Sequence, residues 1–274
     1  LITSRRNSLV RRLRTLSSKA GREEEGLILL EGTHLLEEAL KNSFLLEQII
    51  ATKSWLDRHP YLLELLNEKT IVTKVTEEVL AAALTTKTPD GVASVFSVKC
   101  MPEIVAKPNF VLALDRLQDP GNMGTLFRTA LAADIEMLWL ALGADPLNQK
   151  VVRASAGAVL KMPYLRLGSS EEEAVKLLAE KLAKASSQGF QVIETVLPNF
   201  ESTKNVLSYW EIDWCKPTVL VLGNEGKGIH SVIKESCNSL VTLPHSKAVE
   251  SLNVASVAVP MLLERRRAKM TADT

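Results

Sequence analysis

The sequence carries only three cysteines, Cys100, Cys215 and Cys237, and no two of them are spaced C-x-x-C. An odd, scattered set builds neither a disulfide framework nor a zinc site and fits a reducing compartment. Thirteen glycines and eleven prolines in 274 residues are too few for a collagen-like or low-complexity chain. A composition of 46% hydrophobic and 24% charged residues excludes a disordered one. No apolar run approaches the ~18–20 residues that span a bilayer, because Lys, Asp or Glu interrupts every candidate. His34, His59 and His230 lack metal-ligand spacing, and His245 has no cysteine or carboxylate triad around it, so metal catalysis is not expected. Trp139, Trp210 and Trp214 have no aromatic neighbour at strand period and read as core or interface residues, not as a base-stacking platform.

What remains is a globular chain long enough for one large domain or two ordinary ones. Its net charge is only +1, but the charge is unevenly placed. The first twenty residues hold Arg5, Arg6, Arg11, Arg12, Arg14 and Lys19 and no acid, and Arg265 to Arg267 with Lys269 form a second basic cluster. Each cluster suits either phosphate contact or a solvated helix face. The chain starts at Leu1 and not at Met, which leaves open a trimmed initiator or targeting segment. A cytoplasmic location is expected, with an organelle as the alternative.

Leu9, Val10, Leu13 and Leu16 recur at three- and four-residue spacing, which predicts a basic amphipathic helix over Arg5 to Lys19. Leu27 to Leu30 then reads as a strand, followed by a helix for which Thr33 is the expected N-cap. Alternation continues through Gln48 to Thr52, Trp55 to Leu66, Ile71 to Val75, Glu77 to Leu84 and Val92 to Val98, which implies an α/β domain over residues 1–99. Pro102 and Pro108 interrupt the pattern and mark residues 100–108 as a linker. A second α/β domain over 109–274 has buried-type strands at Phe110 to Leu114, Met137 to Leu142, Phe190 to Thr195 and Val219 to Leu222. Helices are expected at Thr125 to Ala133, Glu171 to Ser186 and Leu252 to Arg267.

Three segments of the second half place small and polar residues after a strand, where open α/β sheets collect their ligands. The first runs from Asp119 through Pro120, Gly121 and Asn122 into a helix bearing Arg128; it suits an anion or sugar site as well as a plain turn with a structural Asn cap. The second holds Gly223, Gly226 and Gly228 around Asn224, Glu225 and Lys227. Its G-x-x-G-x-G order matches neither the dinucleotide fingerprint nor a P-loop, but three glycines let a backbone approach a ligand closely. The third runs from Leu243 through His245 to Ser251 and Asn253. Ser251 is placed to cap the following helix, and it stands with Asn253 beside an apolar strand end able to receive a flat heterocycle.

Taken in order, N-x-G-x-x-x-R-T-A from Asn122, L-G-N-E-G-K-G from Leu222 and E-S-L-N-V from Glu250 resemble the three signature motifs of the SpoU-type RNA 2′-O-ribose methyltransferases of the SPOUT superfamily. The resemblance extends over residues 107 to 267 and includes Arg153 to Ala158. More weakly, Ser4 to Asn7 and Leu29 to Gly32 are similar to the small RNA substrate-binding domain that often precedes this catalytic domain. The resemblance implies a C-terminal parallel sheet with a trefoil knot, a homodimer, and a cofactor, S-adenosylmethionine, bent among three loops. Cofactor-binding positions are then Leu222, Gly223, Asn224, Gly226, Leu243, His245 and Leu252, and the catalytic set is Asn122, Arg128, Glu225, Ser251 and Asn253.

The implied reaction is methyl transfer to a ribose 2′-hydroxyl of RNA, ribosomal before transfer RNA. Its difficulty lies in the weak acidity of that hydroxyl. Arginine stays protonated at neutral pH, so Arg128 is expected to position the RNA and stabilise developing charge more readily than to take a proton. Asn122 and Ser251 are expected to orient Arg128 or the ribose, and Asn253 and Glu225 to hold the loops together. Lys247 stands where the family pattern carries glycine. Its charge motivates the alternative of an RNA-binding module that keeps the fold without turnover.

Overall fold

The computed structural model describes residues 1–198, 200 and 205–272. Contacts divide the chain into one unit of Leu1–Met101 with Asp145–Lys161 and another of Pro102–Ala144 with Met162–Thr274. The division is therefore not a single cut in the sequence. Polar bonds explain why Asp145–Lys161 groups with the first unit: Arg22 pairs with Asp145, Gln149 Nε2 donates to the Leu29 carbonyl at 2.8 Å, and Arg153 reaches Glu31 at 3.0 Å.

The first unit begins with α1 (Ser8–Leu16) and α2 (Lys19–Glu25), followed by β1 (Leu27–Glu31), α3 (Thr33–Lys41), β2 (Leu46–Thr52), α4 (Lys53–Arg58) and α5 (Pro60–Leu63). It closes with β3 (Ile71–Val75), α6 (Glu77–Ala83) and β4 (Val92–Ser97). Sheet order is β1-β4-β2-β3, with β4 antiparallel to both neighbours and β2 parallel to β3. Val10, Leu13 and Leu16 of α1 pack with Val79, Leu80 and Ala83 of α6 on one face of this sheet, as the three- and four-residue spacing dictates.

The expected single helix to Lys19 breaks at Ser17, because the Ser18 hydroxyl accepts the Gly21 N–H and caps a new helix. The expected cap at Thr33 is corrected: Gly32 (φ +105°) holds the N-cap position, and the Thr33 N–H bonds Asp90. The basic character of α1 is largely spent on the protein itself. Arg12 bonds Glu25 at 2.7 Å, Arg14 donates to the Ala82 carbonyl at 2.6 Å, and Arg5 and Lys19 face Glu78 and Glu23. The side chains of Arg6 and Arg11 are exposed and make no hydrogen bond or ion pair among the described residues.

The second unit contains β5 (Phe110–Asp115), α7 (Pro120–Ala132) and β6 (Met137–Ala141); the chain then passes through α8 (Gln149–Ala154) before β7 (Tyr164–Leu167). It continues with α9 (Glu171–Ser187), β8 (Gln191–Val196), β9 (Val206–Ser208), β10 (Thr218–Leu222), α10 (Ser231–Glu235), β11 (Ser239–Thr242) and α11 (Val254–Ala272). Every pairing in its sheet is parallel, in the order β7-β6-β5-β10-β8-β11-β9. Strands β5, β6 and β10 are buried throughout, which explains their unbroken apolar runs. Val111, Ala113, Trp139, Val219 and Val221 point toward α9 and α10. The alternate residues point to the other face, where α7 and α11 pack together.

The C-terminal basic cluster divides between buried and surface positions. Arg265 is buried with its guanidinium over the Phe110 ring, Arg266 pairs with Asp134, and Arg267 grips Glu264. Only Arg265 is withdrawn into the core, and Arg266, Arg267 and Lys269 stay at the surface. Among the described residues no helix is long and apolar enough to cross a membrane, and no group of three His, Cys, Asp or Glu is placed to hold a metal.

Candidate functional site

The order β10-β8-β11 brings the carboxyl ends of three strands side by side, and the turn after β5 lies next to them. The loops leaving these strands surround a cavity of about 570 Å³ in the second unit. Leu222, Gly223, Asn224, Gly226, Leu243, His245 and Leu252, the seven expected cofactor positions, all line it. So do Asn122, Glu225, Ser251 and Asn253 of the expected catalytic set. Arg128 does not. Its side chain is exposed on α7, makes no hydrogen bond or ion pair among the described residues, and touches neither Asn122 nor Ser251 through a polar contact.

The glycine-rich loop folds back on itself. Asn224 and Gly228 exchange backbone hydrogen bonds at 3.0 and 3.1 Å, and the Asn224 side-chain oxygen accepts the N–H groups of Gly226 and Lys227. Gly223 is required by this closure. A Cβ there would lie 2.5 Å from the Gly228 carbonyl carbon and 2.6 Å from the Ile229 nitrogen.

Hydrogen bonds then join the loops. Glu225 accepts the Asp119 N–H at 3.0 Å, the Gln118 N–H at 3.2 Å and the Asn122 amide at 3.3 Å. Asn253 donates to the Asn122 side-chain oxygen at 2.8 Å. Partial desolvation works to raise the Glu225 pKa, but the backbone N–H groups of Asp119, Glu225 and Gln118 and the Asn122 amide outweigh it, so the carboxyl titrates below its ordinary range. Glu225 is thus an ionised clasp and a poor proton acceptor at neutral pH.

The geometry decides between the alternatives for Asn122 and Ser251, because other residues cap the two helices and leave both side chains to the cavity. Asp119 caps α7 by accepting the Asn122 N–H at 2.7 Å, so the Asn122 side chain is not consumed as a cap. Asn253 caps α11 by accepting the N–H groups of Ala255 and Ser256, so the Ser251 hydroxyl is left without a hydrogen bond among the described residues. His245 places Nδ1 2.9 Å from the Leu243 carbonyl, which orients its ring. Lys247 lines a neighbouring groove with Pro198, Phe200 and Val249, outside the cavity itself.

Sequence reading missed Thr195, Val196 and Leu197, which close the cavity from the end of β8, and Ile229, Val254 and Val257. The apolar run Phe190 to Thr195 was the available signal. It becomes decisive only once β8 is known to lie between β10 and β11.

Residues 109–263 match the family model described as the SpoU rRNA Methylase family, and residues 7–94 match the MRM3-like substrate binding domain. The chain is 39% identical to an uncharacterised tRNA/rRNA methyltransferase of Synechocystis over 100% of this chain and 96% of that one. It is 31% identical to the 23S rRNA (guanosine(2553)-2′-O)-methyltransferase RlmP of Bacillus subtilis, over 97% of this chain and 98% of the relative. Among solved structures it is similar to an AdoMet-bound rRNA methyltransferase from Sinorhizobium meliloti, with a TM-score of 0.77, 27% identity and 97% of each chain covered.

Proposed function

The chain belongs to the SpoU rRNA methylase family, and from that premise we propose that it methylates the 2′-hydroxyl of a ribose in RNA, with ribosomal RNA as substrate. The observation that carries this reading is the cavity where the turns after β5, β8, β10 and β11 meet. Its volume of about 570 Å³ lies within the roughly 300–1,000 Å³ of small-ligand sites. Leu222, Leu243 and Leu252 offer apolar contact to a heterocycle, and the glycine-rich turn brings backbone groups to the cavity wall. These residues fit S-adenosylmethionine, which supplies the methyl group as a sulfonium.

The chain's own residues then divide the work. Glu225, Asn122 and Asn253 fix the cavity wall by hydrogen bonds, and the unspent Ser251 hydroxyl is available to the acceptor ribose. Arg128, a permanent cation, holds the RNA and stabilises charge as the hydroxyl is activated. Bringing the donor and the hydroxyl into line contributes much of the rate. Lys247 lies in the adjoining groove, so the observation that motivated a binding module without turnover no longer opposes cofactor binding.

A homodimer and the trefoil knot belong to the same proposal, supported by the family resemblance. The dimer is supported further by α11, whose Val257, Val259 and Pro260 are half-buried and whose Leu263 is 43% exposed. Leu263→Glu is expected to weaken dimerisation at least about tenfold in sedimentation equilibrium, because a charge would be desolvated at the interface. Wild-type association by that variant would remove α11 from the interface. Cytoplasmic location is also proposed, supported by the odd, scattered set of three cysteines, which suits a reducing compartment.

RNA contact at the N-terminus is assigned to Arg6, just before α1, and Arg11 within it, whose side chains have no protein partner among the described residues. Arg11→Glu is expected to lower RNA affinity and reduce the slope of log affinity against log salt by about one. An unchanged slope would return this helix to a solvated face.

The function is tested by incubating the chain with methyl-labelled S-adenosylmethionine and ribosomal RNA, then hydrolysing with alkali. A methylated 2′-oxygen cannot attack its phosphodiester, so the label is expected in an alkali-resistant dinucleotide. Absence of label, or label released in mononucleotides, would contradict 2′-O-transfer.

A further inference from the structure

Two consecutive residues at the end of β5 fasten both ends of the cofactor loop, and neither belongs to the catalytic or cofactor-binding sets. Asp115 is fully buried and Arg116 is 5% exposed. Adjacent side chains on a strand ordinarily point to opposite faces. Here Arg116 adopts φ +52°, a left-handed turn that lets its guanidinium fork onto Asp115, with Nε to Oδ1 at 2.7 Å and Nη2 to Oδ2 at 3.0 Å. The third arm, Nη1, binds Glu171 at the start of α9.

This buried ion pair is wired into the loop at two points. Asp115 Oδ2 accepts the His230 N–H at 2.7 Å, and the Arg116 carbonyl accepts the Asn224 side-chain amide at 2.8 Å. Between these anchors lie Glu225, Gly226 and Gly228, all of which line the cavity. Glu171 acts on the same loop through charge. Its carboxyl titrates below the ordinary range because of the hydrogen bond and charge of Arg116, then the charge of Lys227 and, after a smaller opposing desolvation, that of His230. Strands β5 and β10 are joined by their own parallel ladder.

We infer that Asp115, Arg116 and Glu171 are positioning residues that hold the loop from Gly223 to His230 in the closed form required for S-adenosylmethionine. The inference rests on the proposed function and extends it to residues outside the cavity. Removing the guanidinium outright would strand a buried carboxylate, so the informative variants are Arg116→Lys, which keeps the charge but not the fork, and Glu171→Gln, at an exposed position.

The test uses the full chain. Calorimetric titration without RNA is expected to give a dissociation constant for S-adenosylmethionine raised about tenfold in Arg116→Lys, equivalent to about 1.4 kcal/mol, and about threefold in Glu171→Gln. The KM for S-adenosylmethionine should rise in parallel, with kcat unchanged within about twofold. Before any cofactor is added, amide hydrogen exchange should quicken in residues 223–230 of both variants and stay slow in β5 and β10.

Unchanged affinity and unchanged loop exchange would overturn the inference. So would a fall in kcat at constant KM, which would place these residues on the transfer step. Should Arg116→Lys fail to fold, the Glu171→Gln values decide alone. A wild-type chain that binds no S-adenosylmethionine would contradict the proposed function, whereas loop exchange would still report whether the clasp holds.

Discussion

Arg128→Ala is expected to lower methyl transfer to RNA by about 10²–10³-fold at saturating S-adenosylmethionine, the range seen when one preorganised charge-stabilising donor is removed. The dissociation constant for the cofactor should stay within about twofold, since Arg128 lies outside the cavity and bonds none of the residues that line it. Its exposure and lack of protein partners also mean that no fold contact is lost, so the variant should unfold at the wild-type temperature. Single-turnover transfer and calorimetry separate these expectations. Equal transfer by the variant would remove Arg128 from the mechanism. A matching loss of cofactor affinity would place the side chain in the cavity after all.

Gly223→Ala should produce the largest effect on cofactor binding. The added methyl would meet the Gly228 carbonyl carbon at 2.5 Å and the Ile229 nitrogen at 2.6 Å, and backbone atoms cannot rotate aside as a side-chain tip can. The loop must open to admit it. Overpacking of this kind costs about 1–3 kcal/mol, which corresponds to roughly 5- to 150-fold in affinity if it falls on the closed loop. Gly226→Ala is the matched control: the nearest atom to its Cβ is the Asn224 side-chain oxygen at 3.8 Å, an ordinary contact. Affinities that fall equally in the two variants would show that loop closure at Gly223 has no special part in the site.

The second unit was legible in sequence because its central strands are buried on both faces. Phe110 to Leu114, Met137 to Leu142 and Val219 to Leu222 are unbroken apolar runs for that reason. Strand β9 was not legible: it is a half-buried three-residue edge with no apolar run to mark it. Likewise α2 was missed because Lys19 to Glu25 has no apolar period, and its helix is fixed by Ser18 at one end and by Gly26, at φ +65°, at the other.

The candidate site was legible to the extent that chemistry and glycine spacing announce it. The eleven positions that line the cavity as expected carry amides, a carboxylate, a hydroxyl, an imidazole, small residues or an apolar face for a ligand. Hydrogen-bond partners were not legible, since a cap is a matter of which oxygen arrives first. Asp119 and Asn253 take the N-terminal N–H groups for which Asn122 and Ser251 were equally eligible by sequence. Charge was read poorly for the same reason. Arg12 meets Glu25 across a helix break, and Arg265 is drawn under α11 onto Phe110, contacts that no local pattern contains.

Crystals of the chain grown with S-adenosylmethionine test the central claim most directly. The account predicts the cofactor seated between the turns at Gly223 to Gly228 and Leu243 to His245 and the segment Ser251 to Asn253, with Asn122 at its border. A cofactor bound fully elsewhere, with that cavity left to solvent, would contradict it.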